Sequence, residues 1–174
     1  MQCSFGRDTD GADSCRGKHR PGLHAPKGSE VPLRAASIIR LTGRMSDLIP
    51  DDFVDLLKNP NYGHLGTIRP DDTVQVNPMW FEFDGVHIRF THTTQRAKFR
   101  NLQSNPSMSL SVIDPANPYR YIEVRGRLID IVADPDGAFY VQLSRRYGNP
   151  GQQPPPDRAD RVILVMSVEK TQQQ

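Results

Sequence analysis

Two alternating runs, VQVNPMWFEFD (74–84) and VHIRFTH (86–92), meet at Asp84-Gly85, and no other feature of this 174-residue chain limits its fold so strongly. Asp-Gly between alternating apolar runs specifies a tight hairpin, which makes the flanking strands antiparallel neighbours. Val74, Val76, Met79, Phe81 and Phe83 are the apolar positions of the first run, and their phase slips at Asn77-Pro78. A proline removes one ladder donor, so an edge position or a bulge is expected there.

Three further segments read as strands: YGHLGTIR (62–69), SMSLSVID (107–114) and RVILVMSVEK (161–170). YRYIEVRGRLIDIV (119–132) is a long alternating strand with a bulge expected at Gly126. PDDFVDLLKN (50–59) spaces Phe53, Leu56 and Leu57 as one helical face, with Pro50 suited to its first turn and Asp51 and Asp52 to its positive end. DPDGAFYVQLSRRYG (134–148) is a second helix, and QRAKFRNLQSNP (95–106) is a short one between strands. NPGQQPPPDRAD (149–160) predicts an exposed loop, and the Gln-rich end is expected to fray. Strands dominate and short turns join them, whereas parallel neighbours need long helical crossovers. The expected fold is mainly β: a small antiparallel barrel with flanking helices.

Residues 1–44 are rich in Gly, Pro, Arg, Asp and Ser and lack apolar periodicity, so they bury too little to offset ordering. They are expected to be a disordered extension, or sequence translated from a start placed too early. A targeting segment and a basic arm are the alternatives, the first weakened by four acids. The domain is expected to run from Met45 to residue 174. Residues 1–44 carry 8 Lys/Arg against 4 Asp/Glu, leaving 14 of the 22 bases and 16 of the 20 acids to residues 45–174, a net −2. An acidic body argues against nucleic acid as a partner. Trp80, Phe81 and Phe83 are better explained as an alternating strand than as a base-stacking platform. No apolar run approaches membrane-span length, and a cytoplasmic protein is expected. Cys3 and Cys15 lie outside the body, which excludes a cysteine nucleophile and a C-x-x-C site from it.

Catalytic templates are absent: there is no G-x-S-x-G, no P-loop and no G-x-G-x-x-G. His64, His87 and His92 form no metal-spaced pair, so no metal is expected, although His64 and His92 could each face a ligand. What remains is the cation run Arg96, Lys98 and Arg100 behind THTT (91–94). On a helix beginning near Gln95, Phe99 and Leu102 would turn inward, and Arg96 and Arg100 would share a face away from Lys98. Arg96 at the helix start, with the hydroxyls of Thr91, Thr93 and Thr94, could grip an anion. A solvated charged face fits the same pattern, and pattern alone leaves the two readings open.

Several motifs occur in a telling order: HLGTIRPDDTVQVNPMWFEFDG, then IRFTHTT with RAKFRNLQSNPSMSLSV, then YIEVRGRL, then YGNPG and RVILVMSVEK. Over residues 48–170 this resembles the split β-barrel flavin and deazaflavin oxidoreductases, the pyridoxamine-phosphate-oxidase-like superfamily. The compact R-A-K-x-R-N-L form is similar to the branch that uses the deazaflavin coenzyme F420, with FMN as the alternative cofactor. The resemblance implies that Arg96 and Lys98 hold the phosphodiester, with Arg100 left to solvent. It implies that the ring lies along Gln75, Val76, Asn77 and Pro78, and that Tyr119 and Tyr121 of a second subunit close the site. Arg158 and Arg161 would meet the anionic tail. The implied activity is hydride transfer to a small organic acceptor of enone, quinone or tetrapyrrole type, by a homodimer. A non-catalytic protein binding flavin, deazaflavin or haem is the alternative. The ending by which the classical oxidase binds pyridoxamine phosphate is missing, so that substrate is not expected.

Overall fold

The computed structural model describes residues 48–174. The expectations for residues 1–44, and for a domain start at Met45, lie outside the described residues. Eight strands follow in chain order: β1 (Gly63–Ile68), β2 (Val74–Met79), β3 (Phe81–Phe83), β4 (Ile88–Thr93), β5 (Ser107–Asp114), β6 (Asn117–Ala133), β7 (Arg161–Met166) and β8 (Lys170–Gln173). Three helices accompany them: α1 (Val54–Lys58), α2 (Ala97–Ser104) and α3 (Ala138–Arg146). None is long and apolar enough to cross a membrane.

The strands pair in the order β2-β1-β5-β6-β7-β4-β3, all antiparallel, with β8 also on β6. β2 and β3 occupy opposite ends of this path, yet only Trp80 separates them in the chain. Successive Cα atoms are about 3.8 Å apart, so the two ends of the sheet must meet at Trp80. The sheet therefore curls into a barrel, while β2 and β3 do not pair with each other and leave it split. The sequence expectation of one strand over 74–84 is corrected here. The run breaks at Trp80, and its halves serve opposite edges. Pro78 does sit on an edge strand, in regular register with His64.

Alternation delivers the core. Leu65, Phe81, Phe90, Leu110, Ile122, Val124, Leu164 and Met166 are fully buried inside the barrel. Each such burial stabilises by roughly 1.5–3 kcal/mol. α1 closes one side with Leu56 and Leu57. β6 pairs with β5 over its first part and with β7 over its last, so one long strand serves both halves of the barrel. The bulge expected at Gly126 lies instead between Leu128 and Asp130. Gly126 is needed for another reason: a Cβ there would stand 1.8 Å from the Ser167 carbonyl oxygen. The terminal segment does not fray as expected, because Lys170–Gln173 adds to β6 as β8.

Candidate functional site

The edge strand β2, the end of β4 and the start of α2 enclose a cavity of about 370 Å³. Gln75, Asn77, Pro78, Met79, His92, Arg96 and Lys98 line it. A second cavity of about 230 Å³ shares Pro78, Met79, His92 and Arg96 and adds Tyr62, Trp80, Thr91 and Arg161. The split in the barrel, where β2 turns away from β3, creates both. Two larger cavities, of about 430 and 720 Å³, lie elsewhere, but no wall residue of either carries a buried polar atom without a partner. Chemistry rather than size selects the site.

Arg96 is the extended residue before the first turn of α2, and its guanidinium makes no hydrogen bond or ion pair among the described residues. Two residues on, Lys98 points to the barrel interior. It is 3% exposed, and its Nζ donates to the Leu65 carbonyl at 3.0 Å. Asn101, three residues on, shares that buried face. Its Nδ2 donates to Thr67 Oγ1 at 3.2 Å and to Gln75 Oε1 at 2.9 Å, which leaves the Gln75 amide nitrogen for the cavity. The buried face of α2 is thus Lys98, Asn101 and Leu102, with Phe99 only half-buried. Phe99 and Leu102 do turn inward as expected, Phe99 packing against the core at its margin, and Lys98 and Asn101 are buried with them. Arg100 is exposed and bonds the Gln95 carbonyl.

The electrostatics are one-sided. Among the described residues, no Asp or Glu lines either cavity. Burial pushes the Lys98 ammonium down to about 8, helped by the charge of Arg69. Burial also pushes His92 down to about 4, followed by repulsion from Arg96, Lys98 and Arg161, so its imidazole is neutral at pH 7. His92 Nε2 and Thr93 Oγ1 are buried without a hydrogen-bond partner among the described residues. A buried ammonium with one carbonyl, beside unpaired polar atoms, is an arrangement that an anion relieves.

The structure brings together Gln75, Asn77, Pro78, Arg96 and Lys98 around the first cavity, and Thr91 and Arg161 around the second. Arg161 is 8% exposed rather than a solvated loop residue. Its Nε and Nη2 donate to Asp157 at 3.1 and 3.3 Å, and its Nη1 donates to Thr91 Oγ1 at 3.3 Å. Thr93 is buried beside this cluster and lines neither cavity. The Val76 side chain faces away from Gln75 and Asn77 and is exposed. Arg158 is exposed and lines neither cavity. Tyr119 and Tyr121 of the same chain lie on β6, outside both cavities. Sequence reasoning gave no role to Asn101, Met79 or Tyr62. Asn101 was findable, since its i+3 spacing from Lys98 puts both on one helix face.

With this geometry in view, the similarities are specific. A solved structure described as an F420 reductase is 56% identical, with a TM-score of 0.70, over 72% of this chain and all of that one. A conserved hypothetical protein from Mycobacterium tuberculosis matches at 23% identity and a TM-score of 0.57, over 72% of this chain and 84% of that one. General Stress Protein 26 from Bacillus anthracis matches at 19% and 0.55, over 70% and 89%. The last two carry the fold alone. No curated protein matches the chain. The family model for pyridoxamine 5'-phosphate oxidase matches residues 49–174. This chain is therefore a split-barrel protein that belongs to the pyridoxamine 5'-phosphate oxidase family of oxidoreductases.

Proposed function

We propose that this chain is an F420-dependent oxidoreductase that reduces a small organic acceptor. Lys98 carries the reading: among the described residues it is a buried ammonium with no carboxylate partner, beside an Arg96 that is likewise unpaired, at the wall of a cavity without acidic residues. These residues fit a phosphodiester. Its oxygens would replace the missing counter-charge, and charge-assisted hydrogen bonds are about twice as strong as neutral ones. A 56%-identical relative described as an F420 reductase favours the deazaflavin over FMN.

When bound, a reduced deazaflavin supplies a hydride at its C5. The chain's own part is positional. Arg96 and Lys98 hold the phosphate, and Gln75, oriented by Asn101, offers its amide N–H to the cavity. Asn77, Pro78 and Met79 form the wall along which the ring would lie. His92 is neutral at pH 7, and the proton that completes reduction comes from solvent or from a nearby Tyr or His. The active form in this reading is a homodimer whose second subunit contributes Tyr119 and Tyr121. The exposed Val74, Val76 and Tyr119 support a covering partner.

Titration of the full chain with F420, oxidised and reduced, and separately with FMN, tests the cofactor assignment. A saturable change in cofactor fluorescence or absorbance is expected with F420. Saturation by FMN alone would move the assignment to the flavin branch, and no change with either would remove the reading.

A further inference from the structure

The smaller cavity shares Arg96 and His92 with the first and adds an aromatic wall and Arg161 of its own. Its flat side is Trp80, whose ring stacks on Tyr147 at 5.4 Å and 16° and lies 5.8 Å from Tyr140. Tyr147 is itself fixed. Its hydroxyl accepts from the Phe81 N–H at 3.1 Å and donates to the Asn61 carbonyl at 2.8 Å. Tyr62 adds a second aromatic edge, 5.3 Å from Tyr147. A stacked wall locked before any ligand arrives loses little entropy on binding.

Arg161 supplies the polar side of the same cavity. Its guanidinium lies 4.7 Å over the Tyr140 ring, which fixes its plane. Two of its N–H groups are engaged by Asp157 and one by Thr91 Oγ1. A guanidinium has five, so two remain for a ligand. The volume, about 230 Å³, falls below the range of about 300–1,000 Å³ typical of pockets for drug-sized ligands. One ring or two fused rings fill that space. We propose that this cavity binds a small planar anion of one or two rings, stacked on Trp80 and held through its acidic oxygens by Arg161, and that this molecule is the acceptor. Only the acceptor role rests on the deazaflavin reading.

Trp80 is the one tryptophan of the chain, so its fluorescence reports occupancy with no cofactor present. 4-Nitrobenzoate is expected to quench it saturably, and neutral 4-nitrobenzamide to bind about tenfold more weakly. Arg161→Gln removes that preference. Tyr62→Leu, at an exposed position, weakens both probes and keeps the preference, and it serves even where Arg161→Gln does not fold. Equal quenching by acid and amide, or none by either, overturns the proposal. Cofactor titration of the same sample distinguishes the two readings. Quenching without F420 binding leaves the planar-anion site and removes the acceptor role, whereas F420 binding without quenching removes the site alone.

Discussion

Two cationic clusters on this barrel have opposite characters. Arg120 meets Asp55 at 2.6 Å and Asp114 at 2.9 Å, and its guanidinium lies 5.3 Å over Phe53. Bonding to Arg120 holds the Asp55 carboxyl below its usual range, and the Ala116 N–H followed by Arg120 does the same for Asp114. Around α2, by contrast, Arg96 and Lys98 have no carboxylate among the described residues, and His92 and Thr93 keep buried atoms unpaired there. The first cluster ties α1 to the β5–β6 turn and has all its charge answered. The second is less comfortable without a ligand. Unanswered buried charge is costly, and the proposed phosphate site rests on it.

Acid should separate the clusters most clearly. Between pH 6.5 and about 4 the unfolded chain protonates its histidine while folded His92 stays neutral. Stability therefore falls as pH falls through that window, by on the order of 3 kcal/mol. The Arg120 carboxylates, held below their normal pKa, lose their contribution only at lower pH. Urea denaturation of the parent chain and His92→Gln between pH 7 and 4 checks this. A variant with the same acid slope would show that the α2 cluster does not carry the effect.

Next in size, Lys98→Ala is expected to weaken F420 binding by about tenfold or more, because the phosphate loses a charge-assisted partner. The variant should not melt earlier by more than the loss of one hydrogen bond implies, since a costly buried charge leaves with it. The pH dependence has a paired sign. As pH rises past about 8, folded Lys98 loses its proton, so anion affinity falls. The unfolded lysine keeps its proton up to about 10.5, so stability rises over the same window. Unchanged affinity in Lys98→Ala would end the phosphate assignment and leave the fold untouched.

The smallest effect belongs to the satisfied cluster. Arg120→Ala is expected to lower the melting temperature modestly, as exposed pairs do, with F420 affinity unchanged. A loss of affinity there would erase the distinction between the clusters.

Most strands were legible because alternation, Asp-Gly and Pro are local signals, and Ser107–Asp114 has the same bounds in sequence and structure. The break at Trp80 was not, because alternation continues across it and only closure of the barrel divides the run. In the site, Arg96 and Lys98 were reachable through motif order. Lys98's burial was not, since a lysine reads as solvated until an element is seen packing over it. Arg161 was expected to meet the anionic tail of the cofactor, and its burial was not foreseen. Its enclosure depends on Tyr140 and Thr91, and no local pattern links residues 70 positions apart. Arg158, three residues earlier, carries the same chemistry and stays in solvent.

The pairing of β4 with β7 has a consequence for biosynthesis. Thr91 meets its guanidinium partner only after some seventy further residues have been made. A nascent chain that has emerged through α3 holds the cations of α2, yet lacks the strand that completes the second half of the barrel. Such distant pairing is slow to form and leaves a strand edge exposed meanwhile. Chains released short of β7 would bear the cations of α2 without Arg161, and without the strand against which β4 pairs.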